Sequence, residues 1–299
     1  MYRFLNRARI RRGCDQEETI RHLHHPGPVA GARTVTAADR PIRLNFRLDA
    51  GERVDHALAR GFEAAGCIGG FVGFEGGTCA PFQYVIPAAS PDDGHAAWYS
   101  APLTPEGPVD LRQCGAIVGL RDGQLYGHCH GLWHTATGLC MGHMLTPLCV
   151  LTAPVMAAGF GFRNATFRSM PDEESGFTLF EPTGGSDRGG APSALLLRIR
   201  PNEDLCQAIE AVCEAHGIES AEVHGIGSLN EVRFADGRQV SSYATEILIR
   251  HGRVGPEGQG VRARIDIAVV DMSGRVAVGE IVRGDNPVCV TCELVLVPT

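Results

Sequence analysis

The chain has 299 residues, 44% of them hydrophobic and 20% charged, which excludes a disordered or fibrous protein and is enough for two ordinary cores. A net charge of −7 sets the molecule as a whole against phosphate backbones, so a nucleic-acid contact would need locally concentrated positive charge. The N-terminus lacks the apolar core of a signal peptide and no stretch reaches the roughly 18–20 unbroken apolar residues of a membrane span. With an odd eleven cysteines scattered through apolar segments, the expectation is a soluble, cytoplasmic protein with reduced thiols.

Residues 1–40 read as an N-terminal arm. It carries the one dense basic cluster, Arg3, Arg7, Arg9, Arg11 and Arg12, read as a solvated or partner-packed terminus, the alternative being an arm that touches nucleic acid or an acidic partner. His22, His24 and His25 precede Pro26 in an aperiodic segment read as a surface loop.

Residues 47–77 then align without a gap to residues 198–228. Leu48 falls on Ile199, Ala57 on Ala208, Leu58 on Ile209, Gly66 on Gly217, Val72 on Val223 and Gly76 on Gly227. Both segments predict strand, helix, strand. In the first, Asp49 and Glu52 form a capping-box signature, and Val54, Ala57, Leu58, Gly61, Phe62 and Ala65 make a stripe at helical spacing closed by Gly66. In the second, Asn202 is the expected N-cap, the stripe is Leu205, Ala208, Ile209, Val212 and Cys213, and Gly217 closes it.

Each copy continues into strands with glycine-marked turns: residues 116–120 before Arg-Asp-Gly, and 245–250 before His251-Gly252. Paired segments follow, 127–132 with 141–150 and 264–271 with 276–282, the latter joined by a tight turn at residues 271–274. Cys289 and Cys292, three apart in a strand, face opposite ways and are not expected to share a metal. Residues 169–192 have linker composition. The expected fold class is α+β, in two tandem domains, 41–168 and 193–299, each a mainly antiparallel β-sheet with a flanking helix.

Four of the twelve histidines lie within residues 128–143. His128 and His130 are two apart in a predicted strand and share a face, and a hairpin brings His143 back alongside them. Three neutral imidazoles suit Zn or another first-row divalent metal, and three protein ligands leave a coordination position open, the catalytic pattern of zinc. Aligning Gly279-Glu280-Ile281 with Gly142-His143-Met144 puts Glu280 at the third position and Ile265 and Ile267 at the first two. The second copy is therefore expected to bind no metal.

The motifs Gly127-His128-Cys129-His130, Gly142-His143-Met144, Gly225-Ile226-Gly227-Ser228 and Gly279-Glu280-Ile281 resemble the plant-and-prokaryote-conserved (PPC) family, over residues 41–168 and 193–299. The resemblance implies a fold related to α-acetolactate decarboxylase and a zinc held by the H-x-H pair with the later histidine. It also implies a trimer with the metal near the subunit boundary. Plant members join the domain to AT-hook segments; this chain has no Arg-Gly-Arg-Pro core, so nucleic acid is not expected as a partner.

The resulting expectation is a metal-dependent lyase, decarboxylase or hydrolase acting on a small hydroxy- or oxo-carboxylate, in a homo-oligomer. His134 and Glu75, the latter in the glycine-rich turn 73–77, are the candidates for proton transfer. The alternative is a non-enzymatic regulatory or DNA-associated protein in which the metal is structural.

Overall fold

The structure, a computed structural model, describes residues 22–185 and 193–299; the arginine cluster of the first twelve residues lies outside them. The first half comprises strands β1 (Thr34–Asp39) and β2 (Ile42–Leu48), helix α1 (Val54–Ala64), and strands β3 (Gly69–Phe74), β4 (Val109–Arg121), β5 (Gln124–Thr135), β6 (Gly138–Met144), β7 (Val155–Phe162), β8 (Ala165–Pro171) and β9 (Thr178–Gly184). The second comprises β10 (Ala194–Ile199), α2 (Leu205–Ala215), β11 (Ala221–Leu229), β12 (Thr245–Glu257), β13 (Gly260–Asp271), β14 (Val276–Glu280) and β15 (Val288–Pro298). Shorter bridging strands, such as Tyr84–Val85, decorate the edges.

The two large sheets repeat one strand order. In the first it is β2-β7-β3-β4-β5-β6; in the second, β10-β15-β11-β12-β13-β14. The helices occupy equivalent places, and the pairing within both series is antiparallel. The molecule is strand-dominated, with two α-helices among the described residues, rather than an even α+β mixture.

The sheets stack face to face with a helix outside each, giving four layers. Leu48, Val54, Leu58, Phe62 and Cys129 make the core under α1, and Leu205, Ile209, Val223, Ile265 and Ile267 the core under α2. A third core, with Phe71, Ile117, Phe160, Ile226, Leu248 and Val295 among its members, lies between the sheets. This explains the near-continuous apolar run of β15: the strand is covered by α2 on one face and by the first sheet on the other.

Both helix stripes are buried as their spacing predicts, and Gly66 and Gly217 each close a helix at φ +65°. At Gly61 a Cβ would fall about 2.1 Å from the Phe46 ring, so α1 can approach β2 this closely only with glycine there. The caps differ from expectation. Asp49 and Glu52 form a turn ahead of α1, whose N-cap is Arg53 without a side-chain bond. Asn202 takes a left-handed φ of +66° and bonds the backbone of Leu23, while Asp204 caps α2 by accepting from the Gln207 amide.

Three further readings are corrected by strand pairing. His251-Gly252 is not a turn: it follows a register shift in β12, which runs on to Glu257. The supposed linker is partly structured, since β9 pairs with β8 from Ala165↔Gly184 to Pro171↔Thr178; residues 186–192 lie outside the described residues. The arm is partly structured too. β1 pairs with β10 from Thr34↔Ile199 to Asp39↔Ala194, joining the sheet of the second half.

Candidate metal centre

Strand alternation sets the site. On β5, Cys129 points into the core under α1, and its neighbours His128 and His130 point to the opposite face, towards the second sheet. The β5–β6 hairpin places His143 directly opposite His130. The three imidazoles offer ligand atoms within 4.8 Å of one another, the one such group of metal-binding side chains among the described residues.

Each ring nitrogen has a distinct environment. His128 Nδ1 donates to Glu293 Oε2 at 2.7 Å, and His130 Nδ1 donates to the Ile247 carbonyl at 2.8 Å. Their Nε2 atoms face each other at 3.1 Å, and Glu246 Oε2 lies 2.7 Å from His130 Nε2. His143 Nδ1 is buried with no hydrogen-bond partner. Burial, with His128 and His130 nearby, drives the His143 pKa well below the ordinary histidine value. For His130 burial works in the same direction, but the Glu246 carboxylate, the Ile247 carbonyl and Glu293 together overcome it and raise the pKa.

An orphaned nitrogen beside two converging Nε2 atoms fits a first-row divalent cation, which would be held by His128, His130 and His143. Two cavities flank the cluster. One of about 40 Å³, room for little more than water, is lined by Trp98, Tyr99, Phe177, His128, His130 and Glu246. The other, about 230 Å³, is lined by Arg121, Tyr126, His128, His143, Phe180 and Glu293, with the Arg121 guanidinium 5.1 Å above the Tyr126 ring.

The remaining sequence candidates lie elsewhere. His134 is exposed near the far end of β5, and Glu75 lines a separate groove with Phe71, His224 and Arg250. Neither borders the cavities beside the triad. His25, read as part of a surface loop, is buried, and its Nε2 bonds the Cys289 carbonyl at 2.8 Å. Ile265 and Ile267 do not occupy the histidine positions. They point into the core under α2, while Ala268 and Val270 face the first sheet, so the sequence alignment was one residue out of phase and the faces exchanged.

Glu246 and Glu293 escaped the sequence reading. Each stands in an otherwise apolar strand, Thr245-Glu246-Ile247-Leu248 and Cys292-Glu293-Leu294-Val295. A carboxylate in such a run is costly to bury without a partner, and that was the available signal.

Comparison with known proteins gives one family match: residues 186–299 match the Plants and Prokaryotes Conserved (PCC) domain. No curated protein matches the chain. A PPC protein from Pyrococcus horikoshii is 17% identical, covers 52% of this chain and 97% of its own, and has a TM-score of 0.39. A metal-containing protein from Archaeoglobus fulgidus is 16% identical, covering 49% and 97%, at a TM-score of 0.38. A protein from Bacteroides thetaiotaomicron described as a candidate DNA-binding protein is 18% identical, covering 38% and 82%, at a TM-score of 0.32. The expectation that nucleic acid is not a partner is corrected accordingly, because the similar structures include one with that description. No helix among the described residues is long and apolar enough to cross a membrane. Residues 186–299, more than a third of the chain, are thus similar to the PCC domain.

Proposed function

We propose that this chain is a regulatory PCC-domain protein that holds one zinc-class ion at His128, His130 and His143, with the ion in a structural role at the seam between its halves. The carrying observation is the convergence of three imidazoles, one with an orphaned buried nitrogen, against the face of the other sheet. The ion would supply positive charge and fixed geometry there. The common strand order supports reading the chain as a tandem duplication, 41–168 and 193–299. Ten free cysteine thiols among the described residues favour a reducing compartment such as the cytoplasm.

Metal analysis of the purified chain tests this reading. One ion per chain is expected, and none after His128→Ala; two ions, or unchanged content in the variant, would refute it. DNA association enters from the description of a similar protein and is tested by anisotropy of a labelled duplex with the metal-loaded chain at low and moderate salt. A metal-dependent lyase or hydrolase is the second reading. The 230 Å³ cavity bordered by His128 and His143 favours it, offering a small molecule access to the ion.

A further inference from the structure

Residues 22–33, which lead into β1, form a strap that is tied to both halves. On the second half, the Leu23 amide donates to Asn202 Oδ1 at 2.7 Å, and Asn202 Nδ2 donates back to the Leu23 carbonyl at 2.9 Å. On the first, the Gly27 amide donates to the Glu174 carbonyl at 3.1 Å. A Cβ on Gly27 would fall 1.7 Å from the Glu173 carbonyl oxygen, so the strap sits hard against the turn between β8 and β9. Arg33 closes it with two bonds to the Glu174 carboxylate, at 2.7 and 3.0 Å, and one to Glu203 at 3.2 Å.

Within the strap, His25 is only 5% exposed. Its Nε2 donates to the Cys289 carbonyl at 2.8 Å, and its Nδ1 is buried without a hydrogen-bond partner. A carbonyl can only accept, so Nε2 holds the proton and the neutral ring leaves a bare lone pair at Nδ1. A second proton would place a charged N–H in the interior with no acceptor, which is costly. The charged groups facing the ring are Glu174 and Asp172, from the turn between β8 and β9, and Arg33 from the strap itself; β15 offers the Cys289 carbonyl. Burial drives the His25 pKa below the ordinary value of 6.5 against the pull of that carbonyl and of the two carboxylates, which Arg33 and Arg198 already engage.

We propose that residues 22–33 are a strap released by protonation of His25, and that its release uncovers one side of the cavity beside His128 and His130. Leu23 packs on the cluster of Ala97, Ala244 and Cys289, and these three residues also line the 40 Å³ cavity. Once released, His25 takes up its proton in water without the cost of burial. The strapped state therefore binds fewer protons than the released one. Strapping is at full strength above pH 6.5 and is lost as the pH falls from there towards the depressed value. No ion at the three histidines is required for this.

Hydrogen exchange of the full chain, followed at single amides between pH 7.5 and 5.5 and corrected for the intrinsic pH dependence of exchange, tests the release. In wild type, protection of the Leu23, Gly27 and Ala30 amides falls about 10-fold from the upper to the lower pH, while amides inside α2 keep theirs. His25→Gln, whose side-chain amide can donate to the Cys289 carbonyl and does not titrate, keeps wild-type protection at pH 7.5 and shows no fall. Should the glutamine fail to hold the strap, His25→Phe takes its place: whatever its protection, it is the same at both pH values. Strap protection in wild type that stays constant across the range, or a fall of equal size in a variant that cannot titrate, overturns the assignment of His25 as the releasing group.

Discussion

The two halves share a strand order and a helix position, yet their inner faces carry different chemistry. On β5 and β6 the face turned inward presents His128, His130 and His143; on the corresponding β13 it presents Ala268 and Val270. The second half is not simply an emptied copy. It returns Glu246 and Glu293 from β12 and β15 to the histidines of the first. The first half holds the imidazoles and the second the carboxylates, so the cluster lies between the two sheets.

Removing one partner of a buried charged contact is the most severe way to break this division. His130→Ala leaves Glu246 buried opposite nothing, and a loss of about 3–5 kcal/mol in urea unfolding is expected. Little change would mean that Glu246 readily reaches water and that the two halves are not coupled there. Leu248→Ala opens a cavity between the sheets rather than under a helix, and about 2–5 kcal/mol is expected. Its unfolding should remain one transition by fluorescence and by circular dichroism. Two separated transitions would show that the halves are independent units.

A second polar joint sharpens the comparison. Asp172, just beyond β8, pairs with Arg198 of β10 and with Arg200 just after that strand, at 2.9 and 2.5 Å. Burial alone would raise its pKa, but Ser175 and Arg198 outweigh burial and depress it to about 2. A depressed carboxylate pKa contributes stability that is present above the ordinary value of 3.8 and is lost as the pH falls towards 2. After allowance for solvent screening the contribution is about 1–2 kcal/mol. In Asp172→Asn that acid-labile share should vanish from the pH–stability curve; a curve parallel to wild type below pH 4 would count against it.

The smallest effect contrasts the helix ends. Asp204 caps α2, so Asp204→Ala should cost about 1 kcal/mol in urea unfolding. Arg53 makes no side-chain cap on α1, and Arg53→Ala is expected to leave that helix end unchanged by hydrogen exchange. Equal sensitivity at both ends would show that the caps are equivalent after all.

Much of this was legible in the residues because periodicity reports burial. The stripes from Val54 to Phe62 and from Leu205 to Cys213 predicted both helices, and the two-residue spacing of His128 and His130 predicted their common face. What failed depends on pairing between distant segments. A one-residue error in aligning β13 turned Ile265 and Ile267 to the wrong side, because strand faces alternate at every residue. Nothing local in residues 34–39 says that they pair with a strand some 160 residues later, or that a carboxylate at 246 meets an imidazole at 130. The caps failed for a narrower reason: several acidic or amide side chains precede each helix, and the backbone decides which one reaches an amide.

The pairing of β1 with β10 bears on how the chain is made. A ribosome releases β1 early and its partner only after the whole first sheet has been synthesised, so β1 waits with an unmatched row of backbone donors and acceptors. During that interval it is an open template for strands of neighbouring nascent chains. Translation pauses or shortened messages that stop before residue 194 would leave it permanently unmatched, and such fragments should gather into aggregates even where their own sheet has folded.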